Sequence, residues 1–262
     1  MKFSKIDISL FSGSKVASEQ ASFNCLNPLA KAGSLLFLGA SAERAALGGQ
    51  VAAKLALSKF IEGFFTSATT DMQGEENVNV IELAYNKANS GVYEFGHKLS
   101  AGGRMSASVV SVFINGGCIY ASRVGQGQAY LSRDSQAFPF FSNHQQGQDF
   151  QTLGSNSLVS VEIATVDLQP GDVIFILSEP LKTEDEAEIS HLIGLLLPKF
   201  QILDASGGQA EPTGQSYRSR LEPGSCKRLV EQLFDSDQLA FAAIIGIGPK
   251  LNFLSKPEKL AA

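Results

Sequence analysis

The residues best suited to acid–base or metal chemistry are His97, His144 and His191. Each stands alone, with no second histidine three or four residues away. A zinc site or a metalloprotease helix needs that spacing to bring two imidazoles onto one face. The three cysteines, Cys25, Cys118 and Cys226, are far apart and form no C-x-x-C pair. They read as reduced thiols of a cytoplasmic protein rather than a disulfide framework. No serine sits in G-x-S-x-G and no G-x-x-x-x-G-K-[ST] loop occurs, so serine hydrolysis and nucleotide hydrolysis find no support. Gly102-Gly103-Arg104 is rich in glycine, but it precedes a strand-like run rather than a helix. It therefore lacks the N-terminal amides that cradle a phosphate. The acidic stretch 184–188 reads as the first turn of a solvated helix, where carboxylates meet the positive end of the helix dipole.

The elements around these residues alternate in kind. Residues 3–11 alternate like a strand, and 34–38 form a short apolar run closed by Gly39. Leu47, Val51, Leu55, Phe60, Ile61 and Phe64 recur at helical spacing, and residues 77–98 predict a second helix. Residues 107–114 and 118–124 are strand-like, and Asn115-Gly116-Gly117 between them suits a hairpin turn. A third strand at 128–133 extends the meander. Two more strands, 158–166 and 172–177, flank the turn Gln169-Pro170-Gly171. Helices are expected at 181–200 and 225–234, a polar loop at 204–224, and a last strand at 239–247. Helices in sequence-adjacent pairs around many strands favour an α+β sandwich over a parallel βαβ fold.

Composition narrows the function classes. The 262 residues carry 21 Lys plus Arg against 26 Asp plus Glu, a net charge of −5. No basic run occurs, so nucleic acid is not an expected partner. No apolar stretch reaches the roughly eighteen residues of a membrane span, and the first eleven residues do not read as a secretory leader. With 44% apolar and 18% charged residues the chain is globular. Residues 1–248 are expected to form one domain and 249–262 a tail.

At Val124-Gly-Gln-Gly-Gln-Ala-Tyr-Leu131 the sequence resembles the PPM-type, metal-dependent protein phosphatases (type 2C), which carry V-G-D-S-R-x-Y-L after a hairpin. The resemblance continues in order along residues 5–248. Lys15-Val-Ala-Ser-Glu-Gln20 is similar to R-x-x-N-E-D. Residues 36–44 are similar to the strand that ends in D-G-M-G-G, and Met105-Ser-Ala-Ser-Val109 to M-G-T-T-L. Ser142-Asn-His144 stands where T-x-D-H is usual. Leu168-Gln-Pro-Gly-Asp172 and Leu177-Ser-Glu-Pro-Leu181 are similar to L-x-P-G-D and C-S-D-G-L, and Asp237-Gln-Leu-Ala240 to D-N-x-T. This implies a four-layer α-β-β-α sandwich, two antiparallel sheets flanked by helix pairs.

The resemblance also implies a chemistry: hydrolysis of phosphoserine or phosphothreonine by a water held between two Mn²⁺ or Mg²⁺ ions. Such hard cations need oxygen ligands with negative charge. In the family these come from the Asp of D-G, of S-D-G and of D-N. Here the aligned positions are Ala40-Ser41 for D-G, Gln126 for the G-D-S-R aspartate, Gln20 for the N-E-D aspartate, and Glu179-Pro180 for S-D-G. Glu19 and Asp237 keep the family residue, and Lys15 replaces the arginine that would orient phosphate. A methyl at Ala40 coordinates nothing. At most three carboxylates, Glu19, Glu179 and Asp237, would face four positive charges. Glu43 and Arg44 replace the glycines that follow, either as an exposed first turn or with Arg44 supplying positive charge in place of metal.

A pseudophosphatase is therefore expected, with no catalytic residue and no cofactor. It would act by binding a protein, such as a Ser/Thr kinase or a phosphoprotein of a bacterial signalling system. Tyr217, Arg218 and Arg220 in the 204–224 loop are candidates for that contact or part of a plain surface loop. A divergent active phosphatase, with Mn²⁺ or Mg²⁺ on Glu179 and Asp237 and on Glu19 through water, is the alternative. A structural or oligomeric module is the third.

Overall fold

The computed structural model describes residues 5–12, 21–30, 33–42, 47–98, 105–134, 136–142, 151–169, 171–179, 225–233 and 239–248, with backbone alone for 5–12, 225, 232–233 and 248. The strands are β1 (Lys5–Ser12), β2 (Ala21–Leu26), β3 (Leu35–Ala42), β4 (Ala107–Asn115), β5 (Cys118–Val124), β6 (Gln128–Arg133), β7 (Gln136–Pro139), β8 (Glu162–Asp167), β9 (Val173–Leu177) and β10 (Phe241–Gly248). The helices are α1 (Leu47–Ser67), α2 (Glu75–Lys98) and α3 (Ser225–Leu233).

These strands form two five-stranded sheets, β1-β10-β9-β6-β7 and β2-β3-β4-β5-β8, with every pairing antiparallel. The alternation of side chains along a strand then divides the core into three layers. Leu35, Phe37, Val110, Val112, Ile114, Ile119 and Ala121 of one sheet meet Ala129, Leu131, Ile174, Ile176, Ala243, Ile245 and Ile247 of the other. Leu36, Leu38, Val109 and Phe113 turn outward against α1 and α2. Phe175, Leu177, Ala242 and Ile244 turn outward against Cys226, Leu229 and Val230 of α3. The fold is α+β, as the resemblance implies. Among the described residues no helix is long and apolar enough to cross a membrane.

The helix side is tightly specified. Phe60 meets Tyr85 edge-on at 4.9 Å and Phe64 meets Phe113 edge-on at 5.1 Å, contacts worth about 0.5–1.5 kcal/mol each beyond the area they bury. The Tyr85 hydroxyl donates to the Ser122 carbonyl at 3.0 Å, and Ser111 Oγ and Ser122 Oγ lie 2.6 Å apart. Asn115 donates to the Met72 carbonyl and to Asn77 Oδ1, both at 3.0 Å, and Asn77 donates to the Tyr120 hydroxyl. The polar groups that must enter this layer thus find partners, which burial requires.

Four expectations change. β2 and β7 are strands where no element was expected, and β3 runs on past Gly39 to Ala42 rather than closing there. The strand expected from 158 starts only at Glu162, and Leu158 is 80% exposed. The cause is Gln151, whose side-chain amide donates to the Leu158 carbonyl and accepts from the Ser160 amide, so this backbone needs no strand partner. The helix expected at 181–200, the 204–224 loop and the tail lie outside the described residues.

Candidate functional site

The strand register brings five chain segments together at one end of the two sheets. Ser41 pairs with Ser108, and Val109 pairs with Val124, just before the bend into β6. On the facing sheet Gln128 and Ala242 both pair with Leu177. The end of β3, the start of β4, the β5–β6 bend, the end of β9 and the start of β10 therefore share one rim. Gln126 lies on that bend and Glu179 just after β9.

Which side chains face the gap between the sheets follows from alternation along β3. Leu35 and Phe37 belong to the layer between the sheets, whereas Leu36, Leu38 and Ala40 belong to the helix layer. Gly39 and Ser41 accordingly face the gap. A Cβ at Gly39 would lie 2.2 Å from the ring of Phe241 on the opposite sheet, which confirms the direction. Of the pair Ala40-Ser41, the second residue is the one directed between the sheets. Ala40 packs beneath the helices and cannot face a ligand between the sheets; the side chain that does is the hydroxyl of Ser41. Phe23 and Phe37 flank Phe241 at ring distances of 6.3 and 6.2 Å, so the floor under this end is aromatic.

The polar groups at the rim are mostly neutral, and several are already engaged. Ser108 Oγ accepts the Gln126 amide at 3.1 Å. Gly125 (φ 95°) makes this possible, because a Cβ there would lie 2.2 Å from Ser108 Oγ. Buried Ser178 accepts the amides of Ala240 and Phe241 at 3.0 and 3.3 Å, and its own amide donates to the Phe241 carbonyl at 3.1 Å. Gln128 is fully buried and donates to the Phe141 carbonyl at 3.2 Å.

The buried charge at this end is Arg123, 1% exposed. Its Nε and Nη2 donate to the two carboxylate oxygens of Glu162 at 3.1 and 3.0 Å. Nη1 donates to the Gly127 carbonyl at 3.2 Å and Nη2 to the Ser142 carbonyl at 2.8 Å. The guanidinium lies 4.7 Å from the Phe141 ring centre. The planar fork thus saturates its acceptors while pinning the bend that carries Gln126.

Of the residues singled out in the sequence, Ser41, Gln126 and Glu179 come to this rim and Ala40 does not. Lys15, Glu19, Gln20, Glu43, Arg44 and Asp237 lie outside the described residues. Ser108 and Ser178 lie in segments matched to family motifs but were given no role there, and Arg123 was not singled out. Arg123 did carry a signal: a charged residue inside an otherwise apolar strand must find a buried partner.

Among the described residues no three His, Cys, Asp or Glu side chains gather to hold a cation. Two carboxylates stand at the rim among the residues named above: Glu162, engaged by Arg123, and half-buried Glu179. A pair of divalent ions needs several oxygen anions, and the described donors do not fit one: Ser41 is neutral, and Ser108 and Ser178 already accept backbone amides.

Solved structures share this architecture. The S. agalactiae serine/threonine phosphatase aligns at a TM-score of 0.69 and 16% identity, over 92% of this chain and 99% of that one. The fold is that of the PPM-type phosphatases. The Mycobacterium tuberculosis serine/threonine phosphatase PstP/Ppp aligns at 0.61 and 14% identity, over 93% of this chain and 98% of that one, and the catalytic domain of PstP is also known with two manganese ions. PppA of Pseudomonas aeruginosa, a key regulatory component of T6SS, aligns at 0.63 and 13% identity, over 94% of this chain and 99% of that one. No family model matches the sequence, and no curated protein matches it. At these identities the shared property of the PPM-type fold is its architecture, and the side chains at the rim carry their own chemistry.

Proposed function

We propose that this chain is a catalytically inactive PPM-type phosphatase-like domain that works in the cytoplasm by binding a protein or phosphoprotein in a signalling system. The observation that carries this reading is Ser41: the β3 side chain aimed into the gap is a hydroxyl, where a bridging carboxylate would be needed. Without that anion the repulsion between two dications at the rim is only partly offset by the remaining carboxylates. A metal-activated water is then not generated at neutral pH. The retained sandwich supports a binding role, since a fold can outlive its chemistry. The resemblance to regulatory phosphatases favours a Ser/Thr kinase or its phosphorylated substrate as partner.

Titration calorimetry with Mn²⁺, run beside phosphopeptide turnover, tests the reading. No saturable binding of two ions and no metal-dependent turnover are expected. Two tightly bound ions with metal-dependent release of phosphate would overturn it. If millimolar Mn²⁺ drives hydrolysis that Asp237→Ala abolishes, a divergent active phosphatase takes its place.

A further inference from the structure

The rim groups described above join backbone segments that are remote in sequence. Ser178 Oγ ties the end of β9 to two consecutive amides at the start of β10, and the reciprocal Ser178 amide closes the same junction. Ser108 ties the start of β4 to the β5–β6 bend. Arg123 ties that bend to the Ser142 carbonyl and to Glu162 at the start of β8. All three anchoring side chains are buried.

A rim lined by converging carboxylates repels itself until a cation enters. Serine hydroxyls carry no such penalty, and each one here accepts an N–H that would otherwise be orphaned. Arg123 carries its counter-charge with it in Glu162. We propose that these groups form a clasp that closes this end of the sandwich without any divalent cation, so that the metal-free chain is the fully folded form. The proposal deepens the binding reading by making that form the one that meets the partner, and it rests on that reading in this respect alone.

Thermal unfolding of the full chain in EDTA and in 5 mM MnCl₂ tests it, with Ser178→Ala and Ser178→Thr alongside. The wild-type midpoint is expected to agree within about 1 °C between the two buffers. Ser178→Ala should lower it by about 4–8 °C, the shift expected from leaving two buried amides unpaired in a chain of this size. Hydrogen exchange of the Ala240 and Phe241 amides should quicken at least tenfold in Ser178→Ala, and Ser178→Thr, which keeps the hydroxyl, should restore protection. A wild-type midpoint that drops by 5 °C or more in EDTA overturns the proposal, as does unchanged exchange of both amides in Ser178→Ala. If Ser178→Ala yields no folded protein, the wild-type midpoints in EDTA and MnCl₂ decide alone. The outcome is separable from the binding reading: turnover with an EDTA-insensitive midpoint defeats only the reading, and an EDTA-sensitive midpoint without turnover defeats only the clasp.

Discussion

The two ends of the sandwich are closed by different chemistry. At the hairpin end Arg133 Nε and Nη2 meet Asp172 Oδ1 and Oδ2 at 2.8 and 2.9 Å, and Nη2 also donates to the Asp167 carbonyl. Asp172 accepts the Gln169 amide as well, and backbone bonds between Gly171, Asp172 and Ile247 seal the junction. At the rim, serine hydroxyls and the saturated guanidinium of Arg123 do the equivalent joining. The hairpin end places a charge pair beside its turn. The rim combines the Arg123–Glu162 pair with neutral serine hydroxyls that accept backbone amides. Both ends therefore hold one arginine–carboxylate pair, and they differ in what surrounds it: backbone bonds and a turn at one, serine hydroxyls at the other.

The contrast breaks most readily at Asp172. Asp172→Ala strands Arg133 and the Gln169 amide, and urea unfolding should show a loss of about 3–5 kcal/mol, the range for breaking a buried pair from one side. At the rim, Arg123→Lys keeps the charge but loses the fork, and a loss of about 2 kcal/mol is expected from unmade bonds to the Gly127 and Ser142 carbonyls. Should Arg123→Lys prove costlier than Asp172→Ala, the rim would be the better-anchored end and the contrast would reverse.

The smallest effect lies midway between the ends, at Tyr85. Burial pushes its phenol well above the ordinary value of 10. The folded chain therefore holds this proton when the unfolded chain has released it. Stability is complete below about pH 10 and falls as pH rises toward the folded value. Tyr85→Phe should cost about 1 kcal/mol at pH 8 and flatten the alkaline decline in the urea midpoint relative to wild type. An identical decline in both proteins would assign that pH dependence elsewhere.

What was legible in the sequence was local. Asn115-Gly116-Gly117 announced its hairpin because both glycines take positive φ, 62° and 88°. The apolar runs of β4, β5, β9 and β10 announced a sandwich because both faces of each are buried. β2 was not legible: Ala21–Leu26 is short, mixed in polarity and only half-buried along most of its length, so it offers neither alternation nor a continuous apolar run. Gly39 misled because glycine usually ends a strand, whereas here it continues one to admit a ring from the far end of the chain. That Ser41 rather than Ala40 faces between the sheets was not legible either, because face is fixed by register against neighbouring strands. Ser108 and Ser178 fell within matched motifs, but their roles were not legible because these are set by backbone amides distant in sequence.

The aromatic floor beneath Ser41 also sets the terms on which charge could return. With Phe241 seated against Gly39 and Ser41 only 7% exposed, the local medium is poorly polarisable compared with water. A carboxyl installed by Ser41→Asp would be a weaker acid than a surface aspartate. A field in so dry a place is amplified, and a single re-created anion would draw a counter-ion to itself more strongly than the same residue on an open loop.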